Sequence, residues 1–211
     1  MKKLLICSVL LAGCSTYADA SGFYLGGGLG WSDAQYTDTL KEEGLEDLSI
    51  DLAGSGPAAS LFGGYRLDLN SSSFAALETN AQLSTAKFEL SIDGDETLIE
   101  QTSSLGVAAL MGTQVGAGEI YGRIGFQLAN YNYSETEAGF PEDDIKTDTS
   151  HSGIRFGLGT EFPLGNHSQL RMDWSRTLYS EEQYEEDKES DSASLLEPTE
   201  TLFQIGFVRQ F

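Results

Sequence analysis

The stretch Ile154-Arg155-Phe156-Gly157-Leu158-Gly159-Thr160-Glu161-Phe162 decides the architecture. In an extended chain, successive side chains point to opposite sides. Ile154, Phe156, Leu158 and Phe162 therefore share one face, and Arg155, Gly157, Gly159 and Glu161 the other. One face is apolar and the other is small or charged. The same contrast sets Phe23, Leu25, Leu29 and Trp31 against Tyr24, Gly26, Gly28 and Gly30. It also sets Ile120, Ile124, Phe126 and Leu128 against Tyr121, Arg123 and Gln127, and Leu170, Met172 and Trp174 against Arg171 and Asp173. Period-two alternation of this kind predicts eight strands, at 22–32, 56–67, 74–88, 102–114, 119–133, 150–164, 168–179 and 200–211. Only 56–67 is ambiguous, because Leu61 and Phe62 are adjacent.

Short turns at 68–73, 115–118 and 165–167 alternate with long polar connections at 33–55, 89–101, 134–149 and 180–199. An even number of strands with both termini at the turn end closes the sheet and removes its edges, which lipid does not tolerate. Three features put the apolar face outward, against lipid. The opposite face is glycine, serine and isolated charges of both signs, which suits a narrow, filled interior. About ten residues at a tilt near 40° span roughly 25 Å, the height of the apolar band of such barrels. Aromatics gather at two levels: Phe23, Tyr65, Phe74, Phe162 and Phe211 at one, Trp31, Phe88, Tyr133 and Tyr179 at the other.

The chain of 211 residues carries 12 Lys and Arg against 33 Asp and Glu, a net charge of −21 that excludes a nucleic-acid partner by repulsion. Divalent cations are the better candidates. Both cysteines, Cys7 and Cys14, lie in the first fourteen residues, so the folded part has neither a disulfide nor a cysteine metal site. Lys2 and Lys3 followed by the apolar run 4–13 form an export signal, expected to occupy 1–20 and leave a barrel over 21–211. Two cleavage readings stay open. Ala18-Asp19-Ala20 is a small-x-small site ahead of Ser21, whereas Leu11-Ala12-Gly13-Cys14 has the form of a lipoprotein box that would acylate Cys14.

At the carboxyl end Phe203, Ile205, Phe207 and the terminal Phe211 recur at odd positions. With the strand pattern, this resembles the eight-stranded outer-membrane barrels of the OmpA and OmpX type. The resemblance implies an all-β, up-and-down transmembrane barrel in the outer membrane of a Gram-negative bacterium, with short periplasmic turns and long extracellular loops. It also implies outer-membrane lipids, lipopolysaccharide and the barrel assembly machinery as partners, the last reading the terminal signature. Arg209 departs from that signature and would have to snorkel to the interface.

Glu78, Arg123, Arg155, Glu161, Arg171 and Asp173 fall on the inward face, three acids and three bases, and are expected to form an interior ion network. Asp19, Asp68 and Glu119 are the other acids outside the long connections; the rest, Glu200 at the last strand boundary included, are read with the acidic loops. Glu142, Asp143, Asp144, Glu185, Glu186 and Asp187 are weak calcium candidates, without EF-hand spacing, and a solvated acidic surface is the preferred reading. Asp93-Gly94 between two extended runs predicts a hairpin projecting beyond the membrane. His151-Ser152 resembles the His and Ser of lipid A deacylase barrels, but neighbours on a strand point apart and cannot act as base and nucleophile. His167 falls in a turn. Lys87 and Arg176 lie on the apolar face near its outer end, where lipopolysaccharide phosphates are candidate contacts. No cofactor is expected. The reading is a structural or surface-interaction barrel for an unknown extracellular ligand, without catalysis; the alternatives are a small cation-favouring pore and, less favoured, a lipid A-modifying enzyme.

Overall fold

The structure, a computed structural model, describes residues 21–41, 48–92, 95–136, 145–180, 182–185 and 193–211. The export signal with its two cleavage sites, the Asp93-Gly94 tip and Glu142, Asp143, Asp144, Glu186 and Asp187 lie outside the described residues, as does the side chain of Glu185. Among the described residues ten antiparallel strands follow in order: β1 (Gly22–Lys41), β2 (Leu48–Asp68), β3 (Ser73–Ser84), β4 (Lys87–Ile92), β5 (Asp95–Val115), β6 (Gly118–Thr136), β7 (Ile145–Pro163), β8 (Ser168–Tyr179), β9 (Glu182–Glu185) and β10 (Ala193–Gln210). β4 continues the line of β3, and β9 pairs β10 beyond the end of β8, so the barrel has eight staves. β1 pairs both β2 and β10, which closes it.

Cross-strand partners fix the geometry of closure. From Pro57 the row runs through Trp31, Phe203, Trp174, Leu158, Gly122, Met111 and Ala75 and returns to β2 at Leu67, ten residues from its start. Eight strands with a stagger of ten tilt roughly 40° from the barrel axis and enclose a space just wide enough for side chains. Two of the turns show why the hairpins close where they do. Gly116 supplies the positive φ (63°) of the two-residue connection between Val115 and Gly118. Asn70 caps the β2–β3 turn by accepting from the backbone N–H groups of Ser72 and Ser73, both at 2.9 Å.

Outside, the wall is apolar: Phe23, Leu29, Leu77, Met111, Ile124 and Leu158 are all exposed. The ambiguous pair separates, with Leu61 outward at 68% exposure and Phe62 inward at 3%. Phe74 and Tyr179, read from the sequence as rim aromatics, are instead buried inside the barrel, because they sit on the inward parity of β3 and β8.

The strands run well past the expected ends. Where they are described, the segments read as loops within 33–55, 134–149 and 180–199 are largely paired: β1 and β2 stay in register to Leu40 and Leu48, and β1 and β10 to Lys41 and Ala193, while the extended runs expected on either side of Asp93-Gly94 pair as β4 and β5 to Ile92 and Asp95. The last strand accordingly starts at Ala193 rather than at 200. The cause lies in the wall's polarity. The outward face turns polar after Trp31, at Asp33 and Gln35, while Ala34 between them remains buried. A similar change follows Leu128 (Asn130), Ile154 (Ser152) and Phe203 (Thr201). Backbone pairing needs no apolar outer face, so the staves leave the lipid band and continue as a crest.

Candidate functional site

The interior holds two polar layers. In the layer nearer the turns, Glu78 on β3 accepts from Tyr24 Oη at 2.9 Å, Arg123 Nη2 at 3.1 Å and Arg171 Nη1 at 2.6 Å. Asp173 on β8 accepts from Arg171 Nε at 2.8 Å, from Gln204 Nε2 at 3.2 Å and from the Tyr121 hydroxyl. Arg171, 1% exposed, is stacked on Phe62 and Tyr121, its Cζ 4.5 and 4.9 Å from the ring centres. Glu161 completes the layer at ion-pair range, 3.8 Å from Arg171 Nε. These charges persist in a narrow interior because each carboxylate faces guanidinium groups and hydroxyls rather than lipid.

The layer nearer the crest is built around Glu200 of β10, which accepts from Ser32 Oγ (2.9 Å), Gln82 Nε2 (2.5 Å), Arg155 Nη2 (2.8 Å) and Tyr179 Oη (2.8 Å). Arg155 also donates to Thr177 Oγ1 at 2.7 Å and Gln82 Oε1 at 3.2 Å, so all three of its nitrogens are used. Above it Tyr131 packs edge-on against His151 and Tyr179, with ring centres 5.3 and 6.0 Å apart. Beside the first layer, Phe62, Phe74, Ala76, Ala108, Leu110 and Val208 join Tyr24 and Tyr121 in an apolar cluster inside the barrel, with Ala108 the cross-strand partner of Glu78. Arg66 spans the turn-end mouth, bidentate to Glu119 at 2.6 and 2.7 Å and bonded to Asp68 at 2.9 Å.

Five of the six residues expected to form the interior network, Glu78, Arg123, Glu161, Arg171 and Asp173, therefore come together, whereas Arg155 belongs to the second layer. Its partner Glu200, which composition places with the loop acids, is 1% exposed and inward. The signal was present, since Phe203, Ile205 and Phe207 on the outward parity put 200, 202 and 204 inward. The Arg66–Glu119 pair joins β2 and β6, and no sequence pattern within either strand reports that proximity.

The other candidates disperse. Lys87 on β4 and Arg176 on β8 stand on well-separated staves, with β5, β6 and β7 between them, and do not form one contact site. His151 is buried on the inward face of β7, and Ser152 beside it is not. Phe203, Ile205, Phe207 and Phe211 all project outward, and Phe211 N donates to Phe23 O at 2.9 Å. The Arg209 guanidinium sits 6.0 Å from the centre of the Phe211 ring. Among the described residues no three metal-ligating side chains converge.

The family description "Outer membrane protein beta-barrel domain" matches residues 4–211. Among solved structures, the outer membrane protease OmpT of Escherichia coli aligns at 9% identity with a TM-score of 0.54, over 93% of this chain and 99% of that one. OprG of Pseudomonas aeruginosa aligns at 14% identity with a TM-score of 0.54, over 90% and 96%. Ail, the attachment invasion locus protein of Yersinia pestis, aligns at 12% identity with a TM-score of 0.44, over 88% and 99%. At such identities the likeness concerns the fold. No match is found among curated proteins.

Proposed function

Because the chain belongs to the outer-membrane protein β-barrel family, whose place is the outer membrane, we propose that it is a sealed barrel whose working surface is its crest. The observation that carries this reading is the pairing of two facts. The lumen is filled by hydrogen-bonded layers around Glu78 and Glu200, and the staves continue past the lipid band to display paired, acid-rich strands. A filled lumen disfavours the pore, since solute would have to part Arg155 from Glu200 and Arg171 from Glu78. A Ser–His hydrolase of the lipid A deacylase kind would need its nucleophile and base in contact, and His151, with Tyr131 against its ring, is turned away from Ser152. The crest therefore serves a structural or adhesion-like role, meeting extracellular ligands that tolerate or seek negative charge.

The test replaces the β1–β2 crest, 34–54, by a short turn and leaves the barrel wall intact. Cells carrying the shortened protein are expected to display a heat-modifiable barrel at normal level but to lose attachment to surfaces or other cells that the full protein confers. Undiminished attachment would remove the crest from the function.

A further inference from the structure

Arg176 interrupts the lipid-facing wall. It is half-buried on the outward face of β8, with Trp174 below it and Leu178 above it on the same face, and its cross-strand partners are Phe156 and Thr201. Past Arg176 the outward side is apolar at Leu178 and polar at Ser180, just beyond β8, while its partner Thr201 is already polar, so Arg176 lies at the crest-side edge of the apolar band. Its Nε is buried with no hydrogen-bond partner among the described residues. A guanidinium on the lipid face is destabilising unless a polar group outside the protein meets the nitrogens it turns outward. Directly beside it the wall is hollowed. An apolar groove of about 910 Å³ runs from Trp174 and Phe156 past Leu158, Gly122 and Ile124 to Met111. Gly122 leaves its floor open: a Cβ placed there meets nothing within 4 Å.

We propose that Arg176 and this groove form one binding site for lipid A, the phosphate on the guanidinium and an acyl chain in the groove. Arginine matches phosphate in charge and in donor geometry, and Thr201 beside it adds a hydroxyl. The position selects the lipid. Arg176 lies on the crest side of the band, which faces the outer leaflet, and there the phosphate-bearing lipid is lipopolysaccharide. The groove lining is almost wholly apolar, as an acyl chain requires. The site does not depend on whether the lumen conducts or on what the crest meets.

The full chain, refolded free of lipid, is titrated with diphosphoryl lipid A, with lipid A stripped of its phosphates and with phosphatidylglycerol, and bound lipid is counted by native mass spectrometry. Diphosphoryl lipid A is expected to bind about tenfold more weakly to Arg176→Gln, the loss of one charge-assisted contact, with Arg176→Lys recovering part of the affinity. Gly122→Leu, which fills the groove without touching Arg176, is expected to weaken all acylated lipids alike. Both positions face outward, so heat-modifiable mobility should be unchanged. Equal binding of diphosphoryl lipid A by wild type and Arg176→Gln overturns the site, as does equal binding of phosphate-free lipid A by wild type. Tighter binding of phosphatidylglycerol than of lipid A overturns the choice of lipid.

Discussion

Arg155 engages Glu200 with one nitrogen, Thr177 with a second and Gln82 with the third, and Glu200 has no solvent to replace it. Truncation to Arg155→Ala would strand the carboxylate in a confined site, and breaking a buried pair in this way costs ~3–5 kcal/mol. We expect a loss of that order in urea unfolding followed by tryptophan fluorescence. Arg155→Met combined with Glu200→Leu should recover much of it, because the desolvation of both charges disappears together. A single variant as stable as wild type would mean that water reaches Glu200. The inward identity of Arg155 was legible from Phe156 and Ile154 on either side of it. Its partner was not, because an acid two residues beyond Pro198, in an acidic run, has the composition of a loop and only its parity marks it as interior.

At the scale of the strand, β10 closes the barrel. Its outward residues Phe203, Ile205 and Phe207 face lipid, and Phe211 is tied by its backbone to Phe23 of β1. Deleting Phe211 removes both the terminal signature and this tie, and is expected to lower the amount of heat-modifiable barrel in the outer membrane. Normal levels of the truncated protein would show that the signature is not read. The strands within the lipid band were legible because apolar residues must face outward there, which gives alternation of one sense. Above the band the outward positions become Asp33 and Gln35 and the buried position Ala34, so the pattern weakens in contrast while the backbone pairing continues. Length reasoning from the thickness of the lipid band could not see a crest that lipid does not dictate. A bulge between Gln101 and Ser103 moves Gln101 onto the inward parity, a shift that no regular alternation predicts.

The whole molecule carries a net charge of −21, and 26 of its 33 acids fall in the sequence segments 33–55, 89–101, 134–149 and 180–199. Divalent cations should screen or bridge that charge. Chelation is expected to lower the thermal stability of the barrel and to raise protease cleavage within 34–54, 89–101, 134–149 and 180–199; no change in either would leave plain solvation as the state of the acidic surface. Charge of this density would also suit a cation-favouring pore if the lumen were open, and the two layers around Glu78 and Glu200 are what separates the readings. Conductance of the purified protein in planar lipid bilayers tests that claim most directly. A sealed lumen predicts no stable channel from wild type, whereas large, stable conductance from wild type would contradict the plug and make the protein a pore.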